Sequence, residues 1–440
     1  MTASVPDDDL RALFACAPPD NPVALAVSGG GDSMALLHLA LRWSRLGGPA
    51  LYALTVDHGL RPDSAGEAQA VAGFCAAQGI AHETLRWEEG RPGATGNLPD
   101  AARTARYTLM ARACAARGIA TLLTGHTLDD QAETVLLRLG RGSGVDGLAA
   151  MRPATALWGL RVVRPLLGMR RATLRDILAA EGIAWRDDPT NEDRRYARIL
   201  ARDALATLAP LGITAERLAG TATAMADARQ VLDAAATTLA AELCTLSPLG
   251  YVLLDPARLA RAPRETRHRL LSRLLCAVSG TPYRPRLEAL TGLLDRMGGA
   301  GFGGTTLHGC RIDPFGTQVA IQREPSACTS TIPCASRGTW DDRFDITVPA
   351  SLTRRESVTI AAAGAEGLRM LKAAKHPAPP VWTAAPRPAR LCAPALWRGP
   401  DLLAIPLAGY APAPEASECR AVSRVTLGTT MVDPDREAYI

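Results

Sequence analysis

Val23-Ala24-Leu25-Ala26-Val27-Ser28-Gly29-Gly30-Gly31-Asp32-Ser33 is the stretch on which the reading of this 440-residue chain turns. Five apolar residues halted by glycines read as a short buried strand. From Ser33 to Arg45 the spacing of Met34, Leu37, Leu41 and Trp43 predicts a helix with one inner face. A strand that delivers a glycine-rich turn into a helix makes a backbone anion nest. Gly29, Gly30 and Gly31 let amide N–H groups approach phosphate oxygens without side-chain clashes, and the helix N-terminus adds partial positive charge. Ser28 and Ser33 add hydroxyl donors, and Ser33 is expected to cap the helix. Asp32 beside a phosphate makes chemical sense when it holds a magnesium ion that bridges carboxylate and phosphate oxygens. Taken alone, the segment also fits an ordinary glycine turn. It lacks the Gly-Lys-Ser/Thr ending of the Walker pattern, and it is not GxGxxG.

Outward from this loop, strands and helices alternate. Strands are expected at Leu51 to Val56, Ala81 to Trp87, Ala120 to Thr124 and Leu160 to Val163. Helices are expected at Ser64 to Gln78, Leu98 to Arg117 and Leu128 to Leu139. This alternation predicts an α/β fold of right-handed βαβ units around a parallel sheet, with its ligand beyond the carboxyl ends of the strands. Ser28 to Ser33, Asp57-His58 and Gly125-His126 all follow strands, where that rule puts a site. After Pro210 the pattern becomes helical, at Leu211 to Leu243 and Arg264 to Met297. Thr305 to Arg323 predicts a hairpin turning at Pro314-Phe315-Gly316. Pro325 to Arg337 reads as a linker, strand-like pieces follow at Phe344 to Val348 and Leu402 to Ile405, and fraying is expected from Glu415. The expected division is 1–209, 210–325 and 326–440: a Rossmann-like nucleotide-binding domain, a mainly helical domain and a small β-containing domain.

Ser28 to Ser33 resembles the SGGxDS signature of the PP-loop ATP pyrophosphatase superfamily, whose members cleave ATP between the α and β phosphates. Four further segments are similar to the tRNA(Ile)-lysidine synthetase family, in the same order. They are Val56-Asp57-His58-Gly59-Leu60-Arg61, Ala102-Arg103-Thr104-Ala105-Arg106-Tyr107, and Thr124-Gly125-His126-Thr127-Leu128-Asp129-Asp130-Gln131-Ala132-Glu133-Thr134. The last is Arg164-Pro165-Leu166-Leu167 followed by Asp188-Pro189-Thr190-Asn191. The resemblance runs strongly from Pro22 to Arg202 and fades beyond Arg323. The chain departs from the family pattern at Thr127, where a second histidine is common, and at Ile199, where an asparagine often follows the arginine.

The resemblance implies a two-step ligation. ATP adenylates the C2 oxygen of the wobble cytidine of the CAU-anticodon isoleucine tRNA, and the ε-amine of free L-lysine then displaces AMP. It implies ATP and Mg²⁺ as cofactors. It assigns ATP binding to Ser28, Gly29, Gly30, Gly31, Asp32, Ser33 and Asp57, with Asp32 as the metal ligand. Catalysis falls to Asp32, Asp130, Glu133, His126 and Arg106, and tRNA binding to Arg103, Arg195, Arg198 and Arg202. On spacing alone, Asp130 and Glu133 share one helix face and also fit complementation of the helix dipole. His126 also fits a strand-end histidine satisfied by backbone.

Composition narrows the alternatives. Lysine occurs only at Lys372 and Lys375, so the net charge of +5 is carried almost wholly by arginine, which grips phosphate bidentately. Ten arginines face six acids between Arg161 and Arg202, a local surplus that fits a tRNA backbone track. Aromatics are only 4 % of residues, so shape and phosphate contacts are expected to outweigh base stacking. The ten cysteines are scattered without CxxC spacing, which argues against a thiolase-like PP-loop enzyme. Thr2 stands where the common glutaminase has its cysteine, and the intact acids argue against a non-catalytic nucleotide sensor. The start, with Asp7-Asp8-Asp9, does not read as a signal peptide, and no apolar run reaches membrane length. The expected address is the cytoplasm, without membrane contact.

Overall fold

A computed structural model describes residues 5–18, 21–57, 59, 64–87, 98–186, 197–281, 283–299, 301–353, 358–412 and 414–427. His58, Leu60, Arg61, Asp188 to Asn191 and Arg195 lie outside the described residues. Packing gathers the chain into two units that divide after Arg229.

The first unit runs α1 (Asp7–Leu13), β1 (Val23–Ala26), α2 (Gly31–Arg45), β2 (Leu51–Asp57), α3 (Ser64–Gln78), β3 (Ala81–Arg86), α4 (Leu98–Ala115) and β4 (Thr121–Leu123). It continues through α5 (Leu128–Gly140), α6 (Val145–Leu148), β5 (Ala154–Leu157), β6 (Leu160–Val163), α7 (Arg171–Ala180) and α8 (Ala197–Leu208). The helices and strands expected up to Leu139 are present, with ends that differ by no more than two residues. The sheet order is β3-β2-β1-β4-β6-β5, parallel except for the β5–β6 edge.

Alternation along β1 explains the layers, because successive side chains of a strand point to opposite faces. Val23 and Leu25 join the core built with Leu36, Leu37 and Leu39 of α2 and Leu174 and Leu178 of α7. Ala24 joins the opposite core, with Tyr107, Met110 and Cys114 of α4. The chain leaves β1 toward β2 and β3 and returns on the other side at β4. That reversal opens a crevice between the carboxyl ends of β1 and β4, the place where open α/β sheets take ligands.

β5 was not foreseen. Its four residues carry little strand signal, and its two-residue turn, Trp158-Gly159, has no Asn-Gly or Asp-Gly cue, although both residues adopt positive φ. Trp158 stacks on Tyr107 at 4.5 Å, which ties this edge hairpin to α4.

A 29-residue helix, α9 (Ala215–Leu243), contains the division between the units. The second unit, Gln230–Val432, takes in most of the expected regions 210–325 and 326–440, while residues 210–229 belong to the first unit. Its first sheet is antiparallel, in the order Cys244–Leu246, Val252–Leu254, Gln318–Arg323, Cys310–Phe315, Thr305–Leu307. The long helix expected over Arg264 to Met297 is two helices, Arg264–Ser279 and Leu287–Gly298, because Gly280 ends the first in a left-handed conformation at φ 72°. The hairpin turns at Gly316-Thr317 rather than at Pro314, which sits within its strand opposite Val319. The segment expected as a linker contributes strand Ile332–Pro333 to a four-stranded sheet, and Arg420–Ser423, expected to fray, pairs with Phe344–Thr347. Apolar residues in those two segments are too sparse to show strand periodicity. Each nevertheless pairs with a strand whose apolar residues bury fully, Ile360 beside Ile332–Pro333 and Phe344 and Ile346 beside Arg420–Ser423.

Candidate functional site

The loop after β1 is organised by Ser33. Its hydroxyl donates to the Gly30 carbonyl at 2.9 Å and accepts from the Ser28 amide at 3.1 Å, and the Ser28 hydroxyl stands 3.2 Å away. The helix cap is therefore Gly30, not Ser33. Gly30 offers no side-chain cap, so no side chain of the cap position occupies the first-turn amides where an anion would bind. Gly29 takes φ 87° and accepts the Arg186 amide at 3.0 Å, so the segment ending at Arg186 lies along the loop. Trp185 packs close enough that a Cβ on Gly31 would touch its ring at 3.4 Å.

The N-terminal parts of α2, α5 and α7, with α8, bring four acids and three arginines together. Arg171 Nε donates to Asp32 Oδ2 at 2.9 Å and its Nη2 to Asp130 Oδ1 at 3.1 Å, while Nη1 lies 3.6 Å from Glu133 Oε1. Asp129 plays a different part: it accepts the Arg171 amide at 2.7 Å and pairs with Arg170 at 3.1 Å, holding the start of α7. Asp130 closes a capping box, accepting the Thr127 amide at 2.8 Å and Thr127 hydroxyl at 2.9 Å. Thr127, one of the two departures from the resembled pattern, is thus the N-cap of α5 and an orienter of Asp130.

The charges follow from these contacts. Burial raises the Asp32 carboxyl and Arg171 only partly opposes it, so the net shift is upward. Burial and Asp130 push Glu133 upward against Arg202 and Arg171. Asp130 goes the other way: burial raises it, but His126, Arg171, Arg198 and the Thr127 amide outweigh burial. Because burial and neighbouring guanidinium groups keep His126 neutral, we assign the downward pull on Asp130 to the arginines and the amide. Burial opposes the Arg171 charge, yet Asp130, Asp32 and Glu133 more than restore it. The pocket therefore takes up a proton on Asp32 or Glu133 before Asp130. Asp32 Oδ1 and Glu133 Oε2 are buried and accept no hydrogen bond among the described residues.

His126 lies at the carboxyl end of β4 with Nδ1 2.9 Å from the Thr124 hydroxyl. Burial first, then the charge of Arg164, Arg198 and Arg103, hold its imidazole well below the ordinary histidine range, so it is neutral at physiological pH. Arg103 lies over the Tyr107 ring at 4.9 Å, and Arg106 is exposed one turn on. Asp57 ends β2 and accepts the Gly59 amide at 2.9 Å. Arg198 and Arg202 both lie on α8. Arg202 donates to Glu133 Oε1 at 3.0 Å, which ties it to the acid cluster.

Arg170 and Arg171 were not singled out from sequence. One signal was available. Arginines at the start of a helix oppose its dipole, and such a placement calls for acids close by. Here α7 has no acid of its own in its first turn, and α5 supplies one.

A PP-loop domain profile, ATP_bind_3, matches residues 7–209. Curated relatives extend the match. A tRNA(Ile)-lysidine synthase of Ruegeria pomeroyi is 44 % identical over 91 % of this chain and 92 % of its own length. One from a Bradyrhizobium strain is 43 % identical over 75 % of this chain and 96 % of its own length. One from Wolbachia pipientis wMel is 37 % identical over 75 % and 77 %. The chain belongs to the tRNA(Ile)-lysidine synthase family.

Family membership makes the chain an ATP-dependent ligase and the loop Ser28 to Ser33 part of an ATP-binding domain. Two of the segments that carry the resemblance meet, since Asp32 of Ser28 to Ser33 and Asp130 and Glu133 of Thr124 to Thr134 surround Arg171. No helix among the described residues is long and apolar enough to cross a membrane.

Proposed function

We propose that the chain ligates L-lysine to C2 of the wobble cytidine, position 34, of the CAU-anticodon isoleucine tRNA, through an adenylated tRNA, releasing pyrophosphate and AMP. The product reads AUA instead of AUG. The observation that carries this reading is the meeting of Asp32, on the phosphate loop, with Asp130 and Glu133, on α5, around Arg171. A site for ATP activation and an acidic site for an amine substrate are thereby contiguous.

The chemistry explains why both are needed. A cytosine carbonyl oxygen leaves poorly, and adenylation makes it a good leaving group. In the first step the amides of Gly30, Gly31 and Asp32 and the hydroxyl of Ser28 are placed to take up charge that develops on departing pyrophosphate. Asp32 fits a Mg²⁺ ligand, because Oδ1 is buried and accepts no hydrogen bond; one carboxylate plus nucleotide phosphates is a common magnesium environment. Bound there, the ion would neutralise phosphate charge. In the second step Asp130 and Glu133 hold lysine. Its ε-nitrogen gives a proton to a carboxylate, Glu133 being the one that burial raises. It then attacks C2 as the neutral amine while the C2–O bond breaks and the oxygen leaves with AMP. The neutral His126 is a hydrogen-bond partner at the site. Arg103, Arg195, Arg198 and Arg202 supply positive charge for tRNA phosphates, and Arg106 stands with the catalytic residues. Residues 210–325 and 326–440 act as tRNA-binding regions, and 1–209 as the catalytic domain. The substrates assign the reaction to the cytoplasm.

The direct experiment incubates the protein with the cognate transcript and radiolabelled lysine. Label should enter RNA only with ATP and Mg²⁺ present. A correct transcript that takes up no lysine overturns the reading.

A further inference from the structure

Three carboxylates with one guanidinium between them make an unusual arrangement beside a phosphate loop. Arg171 reaches Asp32 and Asp130 with two different nitrogens and stands 3.6 Å from Glu133 with the third. The side chain is four-fifths buried, and Glu133 is 1 % exposed. Such acids would repel one another strongly in a poorly hydrated pocket unless a cation lay among them. The usual solution is a divalent metal. Among the described residues, however, no group of three His, Cys, Asp or Glu side chains is arranged to hold one. The acids are turned toward a guanidinium instead.

We propose that Arg171 is the built-in counter-cation of this pocket: it keeps Asp32, Asp130 and Glu133 clustered and excludes free divalent metal, so that a metal ion joins Asp32 only together with nucleotide phosphates. The inference rests on the ATP-dependent reading above. Its physical basis is competition for one carboxylate. Arg171 Nε occupies Asp32 Oδ2, which leaves only Oδ1 for a metal. A divalent ion there, without phosphate, would sit beside a fixed positive charge with one oxygen of Asp32 left to hold it. Phosphate oxygens bring both ligands and negative charge, and the opposition disappears. Arg171 is thus a positioning residue that acts through Asp32. Its place at the first position of α7 is itself secured by Asp129, which accepts the Arg171 amide.

The test measures Mn²⁺, as a spectroscopic substitute for Mg²⁺, bound to the full-length protein by electron paramagnetic resonance, with and without ATP. Wild-type protein should bind little Mn²⁺ without ATP. Arg171→Gln removes the charge and should bind it at least about tenfold more tightly without ATP, as expected when a neighbouring unit charge is removed from a carboxylate's surroundings. Arg171→Lys keeps the charge and should stay near wild type, which also answers the case in which Arg171→Gln does not fold. Equal ATP-free Mn²⁺ affinity in wild type and Arg171→Gln overturns the proposal, as does a gain in Arg171→Lys as large as in Arg171→Gln. Failure of lysine incorporation by wild type would instead strike the functional reading and leave these metal affinities unaltered.

Discussion

Gly125 lies against the backbone of Asp32: a Cβ at position 125 would stand 2.9 Å from the Asp32 carbonyl oxygen and 3.1 Å from its carbon. The loop after β4 and the first turn of α2 therefore touch backbone to backbone. This contact sets the width of the crevice that holds Asp32 on one wall and His126 on the other. Gly125→Ala must push the two loops apart. Overpacking of this kind costs about 1–3 kcal/mol, readable as a lower denaturation midpoint. ATP affinity should fall as well, and unchanged stability and ATP affinity would refute the contact's importance.

Asp32→Asn keeps size and shape but removes the charge offered to a metal. Lysine incorporation should fall by about 10²–10³-fold, in keeping with the loss of a group that stabilises developing charge. Binding of tRNA, measured by filter retention, should be retained. Wild-type turnover would refute the metal role of Asp32.

The raised pKa of Glu133 gives a stability prediction with a definite sign. A carboxyl whose folded pKa exceeds its ordinary value of 4.5 binds its proton better in the folded chain. Its contribution is fully present below 4.5 and is lost as pH rises through the folded value. Glu133→Gln mimics the protonated form. The variant should melt at a higher temperature than wild type at pH 7, and the gain should vanish as pH falls to 4.5. A lower melting temperature at pH 7 would show that the pairs with Arg202 and Arg171 outweigh burial.

Arg103→Ala removes one guanidinium from α4 without touching the acid cluster. Binding of tRNA should weaken at every sequence tested. The slope of log affinity against log salt should shrink by about 0.7–0.9, the value of one phosphate contact. An unchanged slope would remove Arg103 from the tRNA track.

The catalytic half of this chain was legible because its signals are local. The run Val23 to Val27 ends in glycines, and the helices that follow have regular apolar spacing, so the α/β order could be read without distant contacts. Asp32, Asp130 and Glu133 were legible through their positions in ordered motifs. Arg171 was not, since its partners lie 139 residues away at Asp32 and 41 away at Asp130, and it is one of ten arginines in its stretch. The second unit hid for a related reason. Its strands are short, and their pairing joins segments as distant as Phe344–Thr347 and Arg420–Ser423, which no local period announces.

The near absence of lysine from this chain acquires a chemical meaning at the acid cluster. An activated cytidine that waits for an amine is an electrophile, and any ε-amine fixed nearby would be a rival nucleophile with the high effective concentration of a tethered group. A guanidinium stays protonated in proteins and does not attack. The cations of the cluster are Arg170, Arg171 and Arg202, none of them a lysine. The pocket can therefore gather strong positive charge around its acids and remain inert toward the intermediate it makes, whereas Arg171→Lys would bring self-capture within reach.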